Sequence, residues 1–186
     1  MAVEGTRELG ARILLTITVI LVVIAPVIAR VAVTRGQAEA ELGGPWTTHI
    51  RQIDRALGEK DLLGAVRAWH EAYAAAMGHP RWEGLLEVGD ASLRIGEAPT
   101  VATTFVGKAR RAYLAGLFRA RDQGSLEGVL RAADAFAALG DREVVQRSLR
   151  MAEAVAAHGA DRYAMDHLRA ASERLMARLA PAEPQP

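Results

Sequence analysis

An uncharged apolar run from Ile13 to Ala29, ILLTITVILVVIAPVIA, constrains this chain more than any other feature, with Arg12 before it and Arg30 behind. At ~1.5 Å per residue its 17 residues would make a helix ~25 Å long, slightly short of a ~30 Å hydrocarbon core. Val31, Ala32 and Val33 lengthen the apolar surface if Arg30 snorkels toward the headgroups. Residues 13–33 are therefore expected to be a transmembrane signal anchor, with the lipid bilayer as partner. A cleaved signal peptide is the competing reading, with Arg7 and Arg12 in the n-region and small residues Val27 and Ala29 before a cut. Glu4 and Glu8 in that n-region, and apolar residues beyond Ala29, favour the anchor. Pro26 fits both readings, because transmembrane helices tolerate a kink. Arg7 and Arg12 on one side balance Arg30 and Arg35 on the other, so the positive-inside count is tied. A short tail ahead of a long body inserts most simply with its N-terminus inside. The expected localisation is a single-pass membrane protein whose body lies on the extracytoplasmic, periplasmic side.

The rest divides around that run. Residues 1–12 are a short tail, 34–44 a polar, Gly-containing linker, 45–180 a helical domain, and 181–186 (PAEPQP) a disordered tail. About 150 residues after the apolar run suffice for one domain with a core of its own. Twenty-three basic residues against 22 acidic ones give a net charge of +1, which carries no global signature of nucleic-acid binding. Lysine occurs only at Lys60 and Lys108, and the Ala- and Arg-rich remainder reads as the coding bias of a GC-rich, bacterial genome. There is no cysteine, which suits a domain on either side of a membrane.

Between Pro45 and Ala180 the apolar residues follow a helical period, and turn chemistry interrupts them. The first expected helix, about Trp46 to Leu57, carries Trp46, Ile50, Ile53 and Leu57 on one side and stops at Gly58. A second runs from a cap at Asp61 to Met77 with Leu62, Ala65, Val66, Trp69, Ala72, Tyr73 and Ala76 as its stripe. The third, about Arg81 to Ile95, presents Trp82, Leu85, Leu86 and Leu93 before Gly96. Pro99 suits the first turn of a long fourth helix reaching about Gln123. Ser125 caps a fifth helix to Leu139, Asp141 a sixth to His158, and Asp161 a seventh ending before Pro181, with Gly140 and Gly159 as stops. No segment of the body has the period of two that marks a strand, so the fold class is all-α.

Short connections make neighbouring helices antiparallel hairpins. The odd-numbered helices start near Trp46, Arg81, Ser125 and Asp161, at offsets of 35, 44 and 36 residues. Trp82 and Leu85 stand where a Trp-x-x-Leu-Gly-x-x-Tyr repeat motif opens, although Leu86 takes its Gly position and Gly89 its Tyr position. Ala133, Phe136 and Gly140 fit small, aromatic and turn positions, and Val145, Leu149 and Ala152 follow on the next helix. Ala65, Trp69 and Ala72 repeat the small-large-small spacing, with Ile53 at a Gly position. On these residues the chain resembles the tetratricopeptide-repeat proteins, whose unit is a helical hairpin of about 34 residues. The resemblance implies an α-hairpin solenoid of three TPR-like hairpins plus a C-terminal capping helix, following an N-terminal transmembrane helix. A compact all-α bundle is the other arrangement considered.

Catalytic motifs are missing: there is no thiol nucleophile, Gly-x-Ser-x-Gly, phosphate-cradling Gly-rich loop or His-Glu-x-x-His. The histidines, His49, His70, His79, His158 and His167, include no i, i+4 pair. His158 and His167 flank Asp161 and Asp166 across one turn, a spacing too unspecific to mark a metal site. No catalytic residue, cofactor or metal is expected. Trp46 either sits at a membrane interface or packs at the start of its helix, the commoner case; Trp69 and Trp82 fall at core positions.

The fourth helix has the unusual charge pattern. Lys108, Arg110, Arg111, Arg119 and Arg121 fall between Ala98 and Arg121 without an acidic residue. Lys108, Arg111 and Arg119 share a face, while Val106, Ala109, Tyr113 and Leu117, with Phe118 at the edge, form the expected buried stripe. This is either a basic ridge facing an acidic partner or anionic headgroups, or a solvated face bridged to neighbouring helices. Nucleic acid is not an expected partner, since no aromatic stacking platform is interleaved. The leading function is a non-enzymatic, membrane-anchored scaffold or accessory subunit that binds protein subunits of a membrane or envelope complex. A transient assembly factor or chaperone-like adaptor is the alternative, and an exported enzyme comes last.

Overall fold

A computed structural model of the chain describes residues 43–159 and 162–180. The tail 1–12, the apolar run 13–33, all but the last two residues of the 34–44 linker, the Asp161 cap and the tail 181–186 lie outside the described residues. Those that are described form seven helices and no strand, so the fold is all-α. We number them α1 (Thr47–Gly58), α2 (Leu62–Gly78), α3 (Glu83–Ile95), α4 (Ala102–Asp122), α5 (Leu126–Ala138), α6 (Arg142–Gly159) and α7 (Arg162–Leu179). No helix among the described residues is long and apolar enough to cross a membrane.

Three of the turns are the same device. After α4, the Ser125 amide donates to the Ala120 carbonyl and the Gly124 amide to that of Arg121, with Gly124 left-handed at φ 66°. After α5 the Asp141 and Gly140 amides donate to Phe136 and Ala137, with Gly140 at φ 74°. This is the Schellman closure, which satisfies carbonyls that a helix end otherwise leaves open. After α1 the same closure places φ 60° on Lys60, whose amide bonds to Leu57 while that of Asp61 bonds to Ala56. The stop expected at Gly58 therefore falls two residues later, and Gly58 stays helical. Asp61 and Ser125 then cap the following helices, their side-chain oxygens accepting the Gly64 and Gly128 amides at 2.8 and 3.1 Å. Pro99 also differs from expectation. It sits before α4, in a turn closed by the Val101 amide on the Ala98 carbonyl, where its fixed φ suits the second turn position.

Side-chain contacts order the helices into two layers. Along the odd-numbered helices, Trp46 meets the start of α3 at Gly84, and Trp82 meets the start of α5 at Gly128. Further along, Arg94 bonds Asp54 at 2.9 Å, Arg131 faces Asp90 at 3.7 Å, and Arg178 bonds Asp134 at 3.0 Å. Starts meet starts and later turns meet later turns, so α1, α3, α5 and α7 run in parallel. The even-numbered helices behave alike. Arg119, late in α4, reaches carbonyls at the end of α2, and Arg110, early in α4, reaches Asp141 at the start of α6. Successive helices pack directly on one another throughout.

The core fills the space between the layers. Trp46, Ile53, Ala65, Trp69, Ala72, Leu85, Val88 and Phe105 belong to one cluster. Trp82, Leu86, Tyr113, Leu117, Phe136, Val145, Leu149 and Leu168 belong to a second. Helix α3 divides the two and is buried on several sides, which requires small residues where neighbours approach. A Cβ on Gly89 would stand 2.2 Å from the Tyr113 ring, one on Gly84 2.5 Å from the Trp46 indole, and one on Gly128 2.8 Å from that of Trp82. The Trp69 indole donates to Ser92 Oγ at 2.6 Å and Ser92 donates to the Val88 carbonyl, whereas the buried Glu83 Oε2 has no partner among the described residues. Trp46 also packs in the core, its Nε1 donating to Glu87 Oε2 at 2.7 Å. On α4 the buried stripe includes Phe105, Ala112 and Ala120, while Val106 is only half-buried and Phe118 is exposed.

Candidate interaction surface

The cations of α4 separate into two lines. Lys108, Arg111 and Arg119 point to the α2 side. Lys108 Nζ stands 4.1 Å from the centre of the Trp69 ring and 5.3 Å from that of Phe105. Burial, and secondarily the charge of Arg111, draws its pKa below the ordinary lysine value. Lys108 and Arg111 line a small hollow with Trp69, His70 and Tyr73. Arg119 donates to the carbonyls of Ala76 at 3.0 Å and His79 at 2.6 Å. It thereby occupies acceptors that the end of α2 leaves open, where cationic charge also favours the helix dipole. Lys108 and Arg119 thus contact α2 and its end, and Arg111 lines the hollow beside them.

Arg110 and Arg121 point to the α6 side. Arg110 grips Asp141 through two hydrogen bonds, at 2.6 and 3.0 Å, and so ties α4 to the first residues of α6. Arg121 lies beyond that clamp, over the exposed Phe118 ring at 5.0 Å and bonded to its own neighbour Asp122.

Below Arg121 the two helices part into an open cleft of about 640 Å³. Arg121, Asp122 and Gly124 form one wall; Arg147, Arg150 and His158 stand on α6 with Met151, Ala154 and Val155 between them. Three arginines against one aspartate leave a surplus of two positive charges. Arg147 pairs with Glu143 one turn earlier on its own helix, while Arg150 has no acidic partner among the described residues. The helix-spaced cations of α6 were not singled out in the sequence. Arg147, Arg150, Met151, Ala154, Val155 and His158 recur at the period of one helix face, but only the course of α4 shows that this face stays open.

The odd-numbered face uses charge differently. Its cleft, about 440 Å³ between α5 and α7, contains the rung members Arg131, Asp134 and Arg178, together with Glu127 and with Arg174, which bonds the Ala170 carbonyl of its own helix. Asp90 has a second partner, the Tyr113 hydroxyl donating to it at 2.7 Å. The histidines are dispersed: His158 lines the α4–α6 cleft, bonded through Nδ1 to the Ala154 carbonyl, whereas His167 lines the α5–α7 cleft. His70 packs edge-on to Trp69, and the adjacent Glu71 meets His49 at 3.1 Å. Among the described residues no three His, Asp or Glu side chains are placed to hold a metal ion. What the geometry offers is recognition: an apolar floor between cationic walls. No protein-family profile, curated protein or solved structure matches the chain.

Proposed function

We propose that this chain is a non-enzymatic, membrane-anchored scaffold or accessory subunit that holds protein partners through its even-numbered helices. The observation that carries the reading is the α4–α6 cleft, whose arginines bond only within their own helix or to no described acid, around half-buried Met151 and Val155 and exposed Ala154. Arg110 beside them does the opposite, reaching across the helix boundary to Asp141.

On this reading α1–α2, α3–α4 and α5–α6 are tetratricopeptide-like hairpins and α7 is the capping helix. Recurrence of the Trp-on-Gly contact and of the Asp–Arg rung from one odd helix to the next supports it, since repeat arrays contact mainly their nearest neighbours. Residues 13–33 supply the anchor, on the strength of their apolar run.

The test is extraction of the full chain from its own membranes in mild detergent. Co-purification of the same subunits at fixed stoichiometry is the expected result. Varied, substoichiometric clients would favour a transient adaptor, and recovery alone in soluble form would overturn both anchor and scaffold.

A further inference from the structure

The α4–α6 cleft has a form that specifies its occupant more closely than the word partner does. Its α6 side runs from Arg147 to His158, which at ~1.5 Å per residue is a trough of ~17 Å, or about three helical turns. Along the trough Met151, Ala154 and Val155 form an apolar strip, with Arg147 and Arg150 toward one end and His158 at the other. Arg121 overhangs the strip from α4, and the same face of α4 continues into Phe118 and Leu114, 39% and 41% exposed. Asp122 is the one carboxylate in the lining, and its Oδ1 already accepts from Arg121.

Building on the proposed scaffold function, we propose that this cleft receives an acidic amphipathic helix of a partner protein. Its apolar face would lie on Met151, Ala154 and Val155, and its carboxylates would reach Arg121, Arg147 and Arg150. Charge complementarity selects the sign, and the recessed floor selects a protein segment. A helix laid in a groove buries an apolar strip of this length, whereas a bilayer surface cannot enter a cleft between two helices. The local pairs of Arg121 with Asp122 and Arg147 with Glu143 are exposed and readily exchanged for a partner's carboxylates. A fork-shaped guanidinium gains geometric fit in that exchange.

The experiment uses the full-length chain in its own membranes, with a photo-cross-linking phenylalanine in place of exposed Ala154 in the cleft or, as control, exposed Ala138 on the odd-numbered face. Cross-linked peptides are mapped by mass spectrometry. Capture at Ala154 of a helical segment rich in Asp and Glu, reduced at least tenfold by Arg121→Glu with Arg150→Glu, is the expected result. Circular dichroism of the double variant checks that the helices are intact. Cross-links at Ala154 to lipid alone, to a segment without carboxylates, or of undiminished yield in the double variant would each overturn the proposal. Protein capture at Ala138 but not at Ala154 would overturn the cleft and leave the scaffold reading standing. Capture of protein at neither position would overturn both.

Discussion

On the odd-numbered face each acidic rung crosses from one helix to the next, Asp54 to Arg94, Asp90 to Arg131 and Asp134 to Arg178. In the cleft of the even-numbered face, Arg121 and Arg147 turn instead to acids one and four residues away on their own helices. Both sets are exposed, so neither contributes much to stability; a surface pair of this kind is worth about 0.2–1 kcal/mol. The difference lies in what each geometry fixes. A pair that crosses two helices sets their relative register, while a pair within one helix leaves the neighbouring surface uncommitted. The same residue type can therefore set alignment in one place and leave a surface available in another.

The sharpest way to break the contrast is to disturb the contact on which both layers depend. Gly89→Ala would drive a methyl group into the Tyr113 ring, which is fully buried and tied to Asp90. A loss of about 2–3 kcal/mol is expected in urea denaturation. The contact-free glycine of α4, Gly107, should respond in the opposite sense: Gly107→Ala should add about 0.5–1 kcal/mol through helix propensity.

Tyr113→Phe should cost about 1–2 kcal/mol at neutral pH by removing the hydrogen bond to Asp90. It should also change the alkaline limb of stability. Burial first, then the Asp90 hydrogen bond and charge, hold the Tyr113 hydroxyl far above the usual tyrosine range. Its contribution is thus complete below the unfolded-state value near ~10, and it declines above that pH as the unfolded chain releases a proton the folded chain keeps. Stability measured between neutral pH and the alkaline limit should fall more steeply in the native chain than in Tyr113→Phe; parallel curves would refute the assignment.

Smaller effects separate the two faces themselves. A double-mutant cycle on Asp54 and Arg94 should give a coupling of about 0.2–1 kcal/mol that shrinks in molar salt. Arg150→Glu should leave the free energy of unfolding within about 0.5 kcal/mol of the native value, because no described acid depends on it. A larger loss there would mean that the cleft, too, is committed to the fold.

Helix ends were largely legible because their chemistry is local. Asp61 and Ser125 cap where an oxygen three residues before an amide should cap, and Gly140 takes the left-handed turn. Lys60 was not legible, since the αL position follows from closure geometry and here falls on a residue without glycine's freedom. Periodicity identified the shared face of Lys108, Arg111 and Arg119 but not what lies opposite it. Two of these side chains turn out to meet the Trp69 side of α2, and the third its terminal carbonyls. Gly89 shows the same limit. In the sequence it departs from the aromatic of the repeat motif, and in space Tyr113 of the next helix brings a ring to that place. Facing residues separated by 24 positions leave no periodic trace.

The two tryptophan seats have a consequence for how neighbouring helices keep register. Trp46 on Gly84 and Trp82 on Gly128 are one seat used twice, and each is accompanied by an Asp–Arg rung, Asp54 to Arg94 and then Asp90 to Arg131. The aspartate stands eight residues past the tryptophan both times, but Arg94 is ten residues past Gly84 and Arg131 three past Gly128. An indole on a glycine thus fixes where two helix starts meet, and the long arginine side chain absorbs the difference in where its own backbone begins.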